Sequence, residues 1–98
     1  MWQNSYDGSA SVYIVPTPIG NLDDMTLRAI STLKMVDVIF SEDTRVTIQL
    51  LNHFDIKKKL IHLDDHNEEN VKNLFLFYLK DNKNVAIVTD RGTPIISD

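Results

Sequence analysis

Apolar residues along the chain fall into two alternating patterns. Short β-rich runs occur at Val12–Val15, Val36–Phe40, Leu60–Leu63 and Val85–Thr89. Between them, apolar positions recur at spacings of three and four, the mark of one buried helix face. Met25 to Lys34 reads as a helix with Ala29, Ile30 and Leu33 on one face and Leu27 beside them. Asp23 and Asp24 stand where negative charge favours its N-terminus. A second helix, from about Thr44 to His53, carries Ile48 and Leu51 toward a core. The third has the strongest periodicity: Val71, Leu74, Phe75, Tyr78 and Leu79 follow Asn67, a candidate N-cap, with Glu68 and Glu69 in the first turn. The last run is apolar on both faces, as at the centre of a parallel sheet.

The resulting order, β-α-β-α-β-α-β, predicts an α/β fold. Its sheet is mostly parallel, its crossovers are right-handed and helices cover both faces. Residues 1–11 are polar and read as a flexible leader. Residues 12–98 read as an N-terminal α/β domain. No helical pattern follows the last strand, which predicts that the domain is incomplete here and that a longer protein continues it.

Composition narrows the possible functions. Ninety-eight residues suffice for one compact domain, and 43% hydrophobic residues supply its core. A formal net charge of −4 argues against a chain that grips nucleic-acid phosphates unaided. Lys57-Lys58-Lys59 is the only basic run and reads as a solvated loop or strand edge. The absence of cysteine excludes disulfides and thiolate metal sites and fits a cytoplasmic protein. No apolar run approaches the roughly 20 residues that cross a bilayer, so no membrane association is expected.

Ligands of open α/β sheets bind outside the carboxyl ends of the strands. In this sequence the unusual residues gather at those ends. The first strand leads into Thr17-Pro18-Ile19-Gly20-Asn21, the second into Glu42-Asp43-Thr44-Arg45, and the last into Asp90-Arg91-Gly92-Thr93-Pro94. Each loop has a plain structural reading as a strand-to-helix turn, a helix cap with a surface ion pair, or a simple turn. Three of them on one predicted edge point to a ligand site. Gly20 and Gly92 allow close backbone approach, the prolines stiffen the loops, and Asp43 and Asp90 can accept from a ribose hydroxyl or a cationic amino group. His62 and His66 flank Asp64 and Asp65 on a strand end and loop. They read as hydrogen-bonded loop histidines, and no metal site is expected. His53 reads as an exposed helix-end residue. Neither a G-x-G-x-x-G nor a G-K-[ST] motif is present, so standard dinucleotide and phosphate-loop folds are unsupported.

In these loops the sequence resembles a known family. Val12 to Ala29, Ser41 to Arg45 followed by Leu50 to Phe54, His66-Asn67-Glu68 and Thr89 to Asp98 resemble, in order and spacing, the tetrapyrrole-methylase superfamily. Within it they are closest to the ribosomal RNA small-subunit methyltransferase I family. The resemblance implies a two-domain, homodimeric enzyme that binds S-adenosylmethionine between its domains. Its methyl group would go to a cytidine ribose 2′-hydroxyl of small-subunit ribosomal RNA. Thr17, Pro18, Ile19, Gly20, Asn21, Asp90, Gly92, Thr93 and Pro94 would contact the cofactor. Glu42, Asp43 and Arg45 would be catalytic, with Thr44, His66 and Asn67 on the substrate side. The chain departs from the family pattern at Arg91 and Ile95, both bulkier than usual beside the cofactor loop, and at Asp64-Asp65 before His66. By itself the chain is expected to be inactive. The rival readings are a methylase of a small tetrapyrrole-like metabolite, a truncated domain that binds nothing, and a receiver-like signalling domain. The receiver reading is disfavoured because no acidic pocket follows the first strand.

Overall fold

The computed structural model describes residues 11–18, 21–64, 66 and 68–89. Their elements, in chain order, are β1 (Val12–Pro16), a 3-10 turn (Leu22–Asp24), α1 (Leu27–Met35), β2 (Val38–Ser41), α2 (Thr44–His53), β3 (Lys59–His62), α3 (Glu68–Lys80) and β4 (Val85–Thr89). The expected N-cap at Asn67 lies outside the described residues. So does the expected leader, except Ser11. That residue is buried and its carbonyl accepts the Val85 N–H at 2.9 Å, so it continues the β1–β4 ladder rather than the leader.

All four strands are parallel, in the order β1-β4-β2-β3. This order and the right-handed crossover rule together place the helices. The β1→β2 and β2→β3 connections run in one direction across the sheet, so α1 and α2 share a face. The β3→β4 connection runs back, so α3 covers the other. Strand alternation divides the core accordingly. Val15, Ile39, Ala86 and Val88 pack with Ala29 and Leu33 of α1 and with Leu50 and Leu51 of α2. Val38, Phe40, Val85 and Ile87 pack with Val71, Phe75, Tyr78 and Leu79 of α3. Phe40 is fully buried and meets Phe75 and Tyr78 edge-to-face, with ring centroids 5.6 and 6.3 Å apart. The α/β architecture with helices on both faces thus agrees with the sequence pattern.

Three local expectations are corrected. The first helix begins at Leu27, not Met25, because the Thr26 hydroxyl accepts the Ala29 N–H and caps it there. Leu27 then lies in the first turn, two residues before Ala29 and so on another side of the helix, and it is 82% exposed. Asp23 and Asp24 belong to the separate 3-10 turn, which starts where the Asn21 side chain accepts the Asp23 N–H. In α2, Ile48 is 48% exposed, and Thr47, Leu50 and Leu51 make the buried stripe instead.

Two helices end on a left-handed residue that is not glycine. Asp55 and Asn82 adopt φ of 57° and 60°, the left-handed region that Asp and Asn tolerate better than most residues. At the first, the Ile56 N–H reaches the Leu51 carbonyl at 2.8 Å, and both side chains enter the core. At the second, the Lys83 N–H reaches Tyr78 at 3.0 Å. Both are Schellman-type endings, which satisfy the last helical carbonyls and reverse the chain.

Candidate functional site

Parallel pairing brings the four carboxyl ends to one edge. The last registered rows set Pro16 beside Thr89, and Ser41 between Val88 and His62. The loop after β1 is tied to the end of β4, since the Thr17 N–H donates to the Thr89 carbonyl at 2.8 Å and its hydroxyl reaches the same oxygen at 3.4 Å. Thr17 and Pro18 are half-buried. They border a cavity of about 610 Å³ whose walls include Ile14, Pro16, Met25 and Ala29, with Asp24, Thr26 and Arg28 supplying polar groups. Its size falls within the roughly 300–1,000 Å³ of small-molecule sites, and it combines apolar walls with a few polar groups as those sites do. Asn21 is exposed and its side-chain oxygen is used by the 3-10 turn. Ile19, Gly20, Asp90, Gly92, Thr93 and Pro94 lie outside the described residues, as do Arg91 and Ile95.

The turn after β2 is held by a closed ring of hydrogen bonds. The Asp43 N–H donates to Ser41 Oγ at 3.2 Å, and the Thr47 hydroxyl donates to the Asp43 carbonyl at 3.0 Å. Thr47 has one proton and gives it to that carbonyl, so the Ser41 hydroxyl donates to Thr47 Oγ1, 2.5 Å away. Ser41 and Thr47 are each 1% exposed. This ring fixes the residues on both sides of Glu42. A second tie comes from β3, where His62 Nε2 donates to the Glu42 carbonyl at 3.1 Å and the Leu63 N–H donates to the Ser41 carbonyl at 2.8 Å. The Glu42 carboxylate is treated differently. Its Oε1 is buried and has no hydrogen-bond partner among the described residues. A buried carboxylate oxygen left in that state costs on the order of 1–3 kcal/mol, or more, until a donor meets it.

Asp43 caps α2: its Oδ1 accepts the N–H groups of Arg45 and Val46 at 3.2 and 3.3 Å. Thr44 opens the helix half-buried, and Arg45 is exposed. Among the described residues Arg45 forms no salt bridge, so the expected surface pair with Glu42 or Asp43 is not seen there. His66 is exposed, and its backbone N–H donates to Asp64 Oδ1 at 3.0 Å. That bond holds the Asp64 carboxyl below its usual range; partial desolvation opposes the shift, and charge on the His66 and His62 rings adds to it. Asn67 lies outside the described residues. His53 ends α2 exposed and donates to Asp23 at 2.8 Å, a solvent-screened pair worth under about 1 kcal/mol. Among the described residues no group of three or more His, Asp or Glu could hold a metal ion, and no helix is long and apolar enough to cross a membrane.

Periodicity and motif alone do not reveal His62 as an anchor, the Ser41–Thr47 pair, or Met25 and Arg28 beside the cavity. Thr47 is the one to test. Thr47→Val keeps the shape but removes both the donor and the acceptor of the ring. It should lower stability by about 1–3 kcal/mol, read as a lower urea midpoint at unchanged slope. An unshifted midpoint would mean that the ring contributes nothing.

The family described as Tetrapyrrole (Corrin/Porphyrin) Methylases matches residues 11–98. Among individual relatives, the Ribosomal RNA small subunit methyltransferase I of Escherichia coli O157:H7 is 48% identical over 96 residues, covering 98% of this chain and 34% of that protein. The protein of the same name from Bacillus subtilis is 48% identical over 99 residues, again 98% of this chain and 34% of its own length. That from Borrelia garinii is 53% identical over 87 residues, 89% of this chain and 39% of its length. The chain therefore spans about a third of the length of these relatives.

Proposed function

The chain belongs to the tetrapyrrole (corrin/porphyrin) methylase family, and from that premise we propose that it is the cofactor-binding part of an S-adenosylmethionine-dependent methyltransferase acting on small-subunit ribosomal RNA. The observation that carries the substrate class is the match, along 98% of the chain, to relatives named for that reaction. We assign the acceptor, more finely, to a ribose 2′-hydroxyl of a cytidine. The activity is assigned to the full-length, cytoplasmic and homodimeric protein, and the chain alone is assigned none.

The residues present fit the cofactor. Thr17 and Pro18, with Pro16 and Met25, offer a stiff, largely apolar wall to the adenosine. Arg28 and Asp24 offer a cation and a carboxylate to the amino-acid end. Ile19, Gly20, Asn21, Asp90, Gly92, Thr93 and Pro94 complete the proposed cofactor contacts. When bound, S-adenosylmethionine supplies an electrophilic methyl group on a sulfonium. A ribose hydroxyl is a weak nucleophile and benefits from a base. Glu42 is the proposed base: its buried Oε1, without a hydrogen-bond partner among the described residues, can take the 2′-hydroxyl proton, and the Ser41–Asp43–Thr47 ring and His62 hold its backbone in place. Asp43 is committed to the helix cap through one oxygen, so its part, with Arg45, is to orient the turn. Thr44, His66 and Asn67 are assigned to the RNA side.

The test is transfer of labelled methyl by the full-length protein to undermethylated small ribosomal subunits, with a tetrapyrrole precursor in parallel. Label is expected in ribosomal RNA, in a nucleotide whose ribose is methylated. Label in the tetrapyrrole alone would assign the protein to the small-molecule branch of its family, and label in neither would remove both assignments.

A further inference from the structure

Charge is unevenly spread along this acidic chain. Between Thr44 and His62 stand Arg45, Lys57, Lys58 and Lys59 against the single carboxylate Asp55, while the whole chain carries −4. These cations belong to the α2–β3 unit at one side of the sheet, where β3 pairs only with β2 among the described strands. The left-handed ending at Asp55 turns the chain so that Lys57 and Lys58 border a groove of about 450 Å³ between α2 and β3. Ile48, Leu51 and Leu60 line its apolar part, and Thr44 and His62 lie on it at the carboxyl end of β3. Lys57 has a loose partner in Asp55, 3.6 Å away, with both side chains about nine-tenths exposed. Lys58 has no salt-bridge partner among the described residues.

We propose that this groove carries a single-stranded segment of the substrate RNA, with backbone phosphates at Lys57 and Lys58 and the strand leading past His62 and Thr44 to Glu42. The inference rests on the reading of the protein as a ribosomal RNA methyltransferase. Charge is the first support: the groove is lined by Lys57 and Lys58 and by no carboxylate among the described residues, and an anionic polymer complements them. Continuity is the second. His62 lines the groove and also donates to the Glu42 carbonyl, so one side chain joins the groove to the proposed base. The segment is taken as unpaired because single strands are the form in which proteins read RNA sequence. A second copy pairing along β3, which has no second partner among the described strands, is disfavoured by Lys59 in that strand, since edge lysines repel such pairing.

The double variants Lys57→Glu/Lys58→Glu and Lys57→Gln/Lys58→Gln in the full-length protein test this. Both side chains are exposed or half-buried, so neither variant should disturb the core. Binding of undermethylated small-subunit ribosomal RNA is measured across a salt series, together with S-adenosylmethionine affinity and mass by light scattering. RNA affinity should fall tenfold or more in the Glu variant and less in the Gln variant. The slope of log affinity against log salt should flatten by about 0.7 for each phosphate that is no longer neutralised, with cofactor affinity and mass unchanged. RNA affinity and slope equal to those of the unmodified protein would overturn the groove while leaving the methyltransferase reading intact. A change in mass without a change in RNA binding would overturn it in favour of an interface between copies. An unmodified protein that binds no ribosomal RNA would overturn both readings.

Discussion

Phe40→Ala is expected to lower the stability of the domain by about 3–5 kcal/mol, read as a large drop in urea midpoint. Phe40 is fully buried in β2 and is the largest fully buried side chain among the described residues. It is also the ring on which α3 seats, through edge-to-face contacts with Phe75 and Tyr78. Truncation removes its transfer energy, leaves a cavity and forfeits two aromatic pairings worth about 0.5–1.5 kcal/mol each. Small domains have only about 5–15 kcal/mol of net stability, so the variant should lie near its unfolding threshold. Phe40→Leu, which leaves most of the volume filled, should recover the larger part. A loss below about 1 kcal/mol for the alanine variant would mean that α3 does not rest on β2 as described.

Glu42→Gln is expected to slow methyl transfer by the full-length enzyme by about 10²-fold or more, the usual contribution of a positioned base. The amide keeps the size of the side chain and can still hydrogen-bond, but it cannot take a proton. Because the Glu42 backbone is fixed from both sides by the Ser41–Asp43–Thr47 ring and by His62, the substitution should leave the loop in place. The loss should therefore fall on kcat, with S-adenosylmethionine affinity unchanged. Turnover at the unmodified rate would remove Glu42 from the proton transfer. Loss of cofactor affinity with kcat preserved would make it a binding residue instead.

Periodicity makes the layer architecture legible because each element buries one regular set of apolar positions. It fails where a polar side chain sits in the core. The buried stripe of α2 runs through Thr47, whose hydroxyl is satisfied by Ser41 and Asp43, and an apolar-only pattern therefore moves the stripe to Ile48. The start of α1 is hard to place for a related reason. Two capping side chains, Asn21 and Thr26, stand close together, and only the second opens the α-helix. Strand order is not legible, because it depends on which strands pair across long separations, although the doubly apolar Val85–Thr89 run does identify a central strand. At the site, the gathering of the strand ends follows from the predicted parallel sheet. The anchoring of Glu42 by His62 does not, because that hydrogen bond spans 20 positions and a backbone carbonyl leaves no mark on the sequence.

The strand order has a consequence for how the domain is made. Among the described strands, β1 pairs with β4 alone, and the bond from Thr17 to Thr89 joins positions 72 apart. During synthesis β2, α2 and β3 emerge as neighbours and can associate early. β1 has no described partner until the fourth strand leaves the ribosome and inserts between it and β2. Long separations of this kind slow folding, since loop-closure entropy is given up before any pairing offsets it. Of the four described strands β1 is thus the first made and among the last to be secured, and the bond from Thr17 to Thr89 forms only when that insertion is complete.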